Sequence, residues 1–224
     1  MTESDTDTTA MVKPLATGPW WASAKWRLFL VVSVVSLVAD QITKIWARHS
    51  LPVEGSGCGT VTNVVEAINS GRCHGKPVPL ISGLWEWKLS MNPGSAFGLF
   101  SSQDSARIFL SIVGIAIVGW IIWTVHKARP EQKLLNWALA LLVGGAVGNL
   151  IDRIYFGVVT DFVLWRYENH SWPVFNIADV VLVIGIGLWF IEIYREGKQE
   201  KALRRERSQR AKSAGLVKDL TGSE

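Results

Sequence analysis

The sequence predicts an all-α membrane protein, a bundle of four transmembrane helices with a small extracytoplasmic β-sheet at the membrane surface. Three observations carry that expectation. Apolar residues fall in four blocks, each about long enough to cross a hydrocarbon core. Charged residues fall mainly between the blocks. Of the twelve Trp, Trp26, Trp46, Trp123 and Trp189 sit where an apolar block meets a polar one. An indole at that level buries its ring and keeps its N–H wet.

Bulk composition is less decisive. The 224 residues are 49% hydrophobic with a mean hydropathy of +0.23. A net charge of +4 and a pI near 9.2 would suit nucleic acid. The basic residues, however, cluster at block ends and in the tail, where membrane topology accounts for them. No nucleic-acid partner is therefore expected.

Residues 1–27 read as a polar cytoplasmic segment, with no cleavable signal peptide in Met1–Gly18. The first span is Leu28 to Ala47, interrupted by Asp40 and Lys44, which share a helical face at a separation of four. Residues 48–105 form a long polar loop. Within it, Leu84–Ser90 alternates as a half-buried strand does, and Asn92-Pro93-Gly94-Ser95 is a turn signal. The apolar Ala96–Phe100 completes the expected surface sheet. Cys58 and Cys73 lie in this loop, and two readings stay open, a disulfide or two free thiols.

The second span is Arg107 to Val125. A basic turn leads into the third, Leu134 to Ile151, where Gly144, Gly145, Ala146 and Gly148 would let helices approach closely. Residues 152–174 read as a loop, and Phe175 to Tyr194 is the fourth span. The membrane domain is thus 28–194, followed by a basic, partly helical tail, 195–224. The N-terminal segment, the turn after span two and the tail are all basic, which predicts that both termini are cytoplasmic. Both charge clusters, Asp40/Lys44 and Asn149–Asp179, then fall at the outer end of the bundle.

Ionisable groups at the mouth of membrane helices are costly to keep and read as functional by default. Asp161 and Asp179 are the two acids that loop return would bring together. Two carboxylates in a low-dielectric site share one proton. The ionised member activates water and the protonated one polarises a carbonyl, which is enough to hydrolyse an amide without a metal. An isolated Asp179 would read as a helix cap. Asn149 and Asn176 can orient a carboxylate or cap a helix, and Asp152–Arg153 reads as an interfacial ion pair. No H-E-x-x-H or G-x-S-x-G occurs, and the four His are scattered in polar loops. A transporter using Asp40 and Lys44 is the alternative from another class, but no repeat or broken span supports it.

Together these residues resemble the lipoprotein signal peptidase (signal peptidase II) family of bacterial membrane aspartic proteases. Asp40-Gln41-x-Thr43-Lys44 is similar to the first motif and Asn92-x-Gly94-x-Ala96-Phe97 to the second. Gly148-Asn149-x-x-Asp152-Arg153 with Val159-Thr160-Asp161-Phe162 resembles the third, and Phe175-Asn176-x-Ala178-Asp179 the fourth. The resemblance implies a four-helix bundle with a β-cradle and a catalytic dyad of Asp161 and Asp179. Asn92, Asn149, Arg153 and Asn176 would line the substrate site, supported by Asp40, Lys44, Gly94, Gly145 and Ala178. It implies cleavage of a prolipoprotein before its diacylglyceryl-modified cysteine, at the outer face of the bacterial inner membrane. It further implies contact with membrane lipid, inhibition by globomycin-type cyclic peptides, a monomer, and neither cofactor nor metal. The long first loop and the extended tail depart from the family's usual pattern.

Overall fold

A computed structural model describes residues 23–55, 58, 63–94 and 103–221. Four long helices carry the chain, α1 (Ala24–Ser50), α3 (Gln103–Lys127), α4 (Lys133–Phe156) and α5 (Ile177–Thr221), with the short α2 (Val64–Asn69) between α1 and α3. All four are long and apolar enough to cross a membrane. Their outward faces are apolar, with Val35, Ile112 and Val183 at 62, 61 and 70% exposure. Such a surface is stable only against lipid, so this is a multi-pass membrane protein.

α4 is the central helix. Over half of its apolar window is buried, against 11% in α3 and α5. Its small residues explain why. A methyl group on Gly145 would lie 2.7 Å from the Ala178 carbonyl of α5, and one on Gly148 would lie 2.4 Å from Asp40 Oδ2 of α1. Without side chains there, three helix backbones come together at one level. Trp26, Phe29, Ile121, Val125 and Leu139 fill the core at the other end of the bundle.

A four-stranded antiparallel sheet, ordered β3 (Val78–Ile81), β4 (Trp85–Asn92), β5 (Val159–Tyr167), β6 (His170–Ser171), sits where α4 ends and α5 begins. A second pair, β1 (Val53–Glu54) with β2 (His74–Gly75), follows α1. Leu89, Met91, Val158 and Phe162 bury one side of the larger sheet against Ala47 and Leu51 at the end of α1.

The structure departs from the sequence reading in several places. Residues 152–174 are not a loop. α4 runs on to Phe156, so Asp152 and Arg153 lie in its final turns, and Gly157 closes it in the left-handed conformation at φ 79°. β5 then runs nine residues with its first six buried. The partners of β4 are β3 and β5, while the expected strand at 96–100 lies outside the described residues, as does most of the N-terminal segment. The polar stretch 50–75 contains α2, and Cys58 and Cys73 form a disulfide around it. α5 continues past Tyr194 without a break.

Candidate active site

The start of α5 is built by its own sequence. Asn176 Oδ1 accepts the Asp179 N–H at 3.0 Å, and Asp179 Oδ2 accepts the Asn176 N–H at 3.2 Å. This reciprocal pair is a capping box that satisfies two orphan donors of the helix. A third donor, the Ala178 N–H, is taken by Asp40 Oδ1 at 2.9 Å, from α1. Asn176 is thus the N-cap and Asp179 its partner in the box rather than the cap itself, and this pairing coexists with a second set of contacts.

Those contacts link the two acids. Asn176 Nδ2 donates to Asp161 Oδ1 at 2.7 Å, so one amide side chain joins the Asp161 carboxylate to the Asp179 backbone. Asn149 Nδ2, from α4, donates to Asp179 Oδ1 at 3.0 Å. Asn92 Nδ2, from the end of β4, donates to Asp161 Oδ2 at 3.1 Å. The Asn92 amide is itself oriented, because its Oδ1 accepts the Gly94 N–H at 2.8 Å. Gly94 has φ 76°, and a methyl group there would strike Leu110 at 2.3 Å, so glycine is required in this turn.

Beneath the two acids lies a buried ionic cluster. Lys44 Nζ is 2.9 Å from Asp40 Oδ2, 2.8 Å from Asn149 Oδ1 and 3.6 Å from Asp152 Oδ2. Lys44, Asp40 and Asp152 are all inaccessible to solvent. With its Oδ1 held by Lys44 and by Asn176 Nδ2, Asn149 can only turn its NH2 toward Asp179. Asp152 does not pair with Arg153, as the sequence suggested. Its partners are Lys44, Arg48 at 3.6 Å, and the Thr160 N–H at 2.8 Å.

Arg153 stands one helical turn beyond Asn149. Its Nη1 donates weakly to the Asn149 carbonyl at 3.5 Å, and its buried Nε has no hydrogen-bond partner among the described residues. Its charge is felt by Asp179, Asp161 and Asp152. Arg107, entering from α3, ties down the end of α4 through the carbonyls of Arg153 and Ile154 at 3.0 and 2.5 Å.

Asp161 is 2% exposed. Burial, and then the neighbouring Asp179 charge, push its carboxyl up to about 7, against the opposing effects of Asn92, Asn176 and Lys44. A carboxylic acid that keeps its proton near neutral pH, beside a second carboxyl at a helix N-terminus that suits an anion, can serve as an acid–base pair. The structure therefore gathers Asp40, Lys44, Asn92, Gly94, Gly145, Asn149, Arg153, Asp161, Asn176, Ala178 and Asp179 at the sheet end of the bundle. The sequence reading missed Arg48 and gave Thr160, though part of the third motif, no role of its own. Arg48 was findable, since Asp40, Lys44 and Arg48 recur every four residues on one face of α1.

Residues 32–195 match the family model described as Signal peptidase (SPase) II. A lipoprotein signal peptidase of Geobacter metallireducens is 33% identical over 175 residues, covering 78% of this chain and 95% of that protein. One from Polynucleobacter necessarius subsp. necessarius is 35% identical over 162 residues, covering 71% and 85%. A bacterial membrane enzyme structure obtained by the in meso method at 2.3 Å superposes with a TM-score of 0.57 at 25% identity, covering 76% of this chain and 90% of that one. With four membrane-crossing helices, this site and these matches, the chain belongs to the signal peptidase II family.

Proposed function

We propose that the protein is an aspartic endopeptidase that removes the signal peptide from diacylglyceryl-modified prolipoproteins, cutting before the lipidated cysteine. The observation that carries the reading is the pair Asp161 and Asp179, joined through Asn176, with Asp161 keeping its proton to about 7. Asp179 carries the negative charge and takes a proton from water as the water oxygen attacks the scissile carbonyl. Asp161 gives its proton to the carbonyl oxygen. On collapse of the tetrahedral intermediate, Asp179 passes its proton to the leaving nitrogen and Asp161 recovers one from the hydroxyl. Arg153, whose Nε has no partner among the described residues, offers a donor to the developing charge. Asn92, Asn149 and Asn176 keep the carboxylates oriented, and Asp40 and Lys44 support them from below.

The placement suits the substrate class. A lipidated cysteine is held at headgroup level by its acyl chains. The bond before it reaches the depth where the sheet meets the helices, and the acyl chains lie against the apolar bundle. The basic α3–α4 turn and tail support the reading of cytoplasmic termini and a site at the outer face of the inner membrane. Globomycin-type peptides would compete for the same groove. Asp40 and Lys44, the support for a transporter, are spent on each other, on α5 and on Asn149.

The test replaces Asp161 or Asp179 with Asn and assays cleavage of a diacylglyceryl-modified precursor by protein that still accumulates in membranes. Each variant is expected to lose activity by several orders of magnitude. Full activity in either one rules out the dyad.

A further inference from the structure

We infer that Arg48, in the last turn of α1, is a positioning residue for the reaction: together with Asp152 it clamps Thr160 and so fixes the peptide from which the Asp161 carboxyl projects. The inference rests on the dyad reading above. Arg48 Nη1 donates to Thr160 Oγ1 at 2.8 Å and lies 3.6 Å from Asp152 Oδ1. Asp152 Oδ2 accepts the Thr160 N–H at 2.8 Å. The Thr160 carbonyl accepts from Asn176 Nδ2 at 3.3 Å. The N–H, hydroxyl and carbonyl of one residue thus reach α4, α1 and the cap of α5. Thr160 and Asp152 are fully buried, and the Arg48 side chain is 10% exposed, its guanidinium carbon 4.5 Å from the centre of the Phe156 ring. Thr160 and Asp152 therefore depend on these protein partners for their hydrogen bonds.

A pattern on α1 gives this clamp its meaning. The residue before each dyad acid is gripped by that helix. Asp40 holds the N–H of Ala178, which precedes Asp179, and Arg48 holds the hydroxyl of Thr160, which precedes Asp161. Asp40 and Arg48 are two turns apart, about 12 Å along one rigid helix. α1 therefore sets the separation of two elements, β5 and α5, that are otherwise joined near the acids by Asn176 and the short pairing of Phe175 with Val163. Releasing Thr160 lets the 160–161 peptide turn, carries the Asp161 carboxyl off Asn92 and Asn176, and opens it to water.

The charged groups around Asp161 are Asp179 from α5, Lys44 from α1 and Arg153 from α4. β4 contributes Asn92, which does not titrate. With the charged groups unchanged, losing the Asn92 and Asn176 bonds would hold the proton more tightly, but burial is the larger cause and water weakens it, so activity should be lost at lower pH.

The experiment measures kcat and KM against pH for the full-length enzyme with a diacylglyceryl-modified precursor, comparing wild type, Arg48→Met, Arg48→Lys, Thr160→Val and the double variant R48M/T160V. Arg48→Met is expected to lower kcat about tenfold or more, the scale on which slight misplacement of a reacting group acts, with KM little changed. Its alkaline limb should move to lower pH. Thr160→Val should move the limb the same way, the double variant should be no worse than the stronger single, and Arg48→Lys should recover part of the loss. The inference is overturned if Arg48→Met and Thr160→Val leave the limb in place, whatever happens to kcat, or if their effects add. Should Arg48→Met fail to accumulate, Thr160→Val decides, because it removes one hydroxyl and leaves every charge paired. A wild type with no alkaline limb near 7 would instead sink the dyad reading, and the clamp with it.

Discussion

Replacing Lys44 with Met removes one charge from the buried cluster and keeps much of the side chain's length. Three contacts go with it, to Asp40 at 2.9 Å, Asn149 at 2.8 Å and Asp152 at 3.6 Å. Asp152 keeps Arg48 and Asn149 keeps Asn176. Asp40 is left fully buried with no cation, holding only neutral donors from Gln41 and Ala178. Breaking a buried ion pair from one side costs about 3–5 kcal/mol, because the remaining charge has no water to return to. For a chain of this size that is a fall in Tm of roughly 6–20 °C. The assay is thermal unfolding in micelles, with Asp40→Asn introduced into the Lys44→Met background as the control. Neutralising the orphaned acid should recover part of the loss, so the double variant should be more stable than Lys44→Met alone. A Lys44→Met loss under about 1 kcal/mol, or a double variant still less stable, would refute the reasoning. Cleavage should fall as well, since the Asn149 amide loses one of the two donors that turn its NH2 toward Asp179.

Asp161 also makes stability depend on pH. Folded, it keeps its proton to about 7; unfolded, it loses it near 4. Between those values the unfolded chain binds fewer protons, so folding stability falls as pH rises across the window. Asp161→Asn should remove that slope; equal slopes in a denaturant titration would contradict this. Gly148→Ala places a methyl 2.4 Å from Asp40 Oδ2 and should cost about 1–3 kcal/mol as α1 and α4 are forced apart, read as a lower Tm together with reduced cleavage. Reducing the Cys58–Cys73 disulfide, which spans 15 residues around α2, should lower stability by about 3 kcal/mol; an unchanged melting curve after reduction would show that the segment is held by its other contacts.

The helices were legible because lipid enforces a simple rule: a run of about 20 apolar residues has few other uses. Asp40 and Lys44 were legible for a related reason, since charges inside such a run must find each other. β5 was not. Val159–Tyr167 is apolar at most positions, because its first six residues are buried, so the alternation that marks a half-exposed strand is absent. Its pairing with β4 joins Asn92 to Asp161 across 69 residues, a distance no local pattern reports. Asp152 misled for a geometric reason. Adjacent residues on a helix do not face each other, so its neighbour Arg153 was the wrong partner, and the right ones come from α1.

The capping box at the head of α5 has one more consequence. The same two side chains that seed a 45-residue helix also hold the proposed hydrolytic centre. A mutant that altered either to evade an inhibitor would unravel the helix start in the same stroke. Compounds that draw their affinity from Asn176 and Asp179 therefore leave little room for resistance.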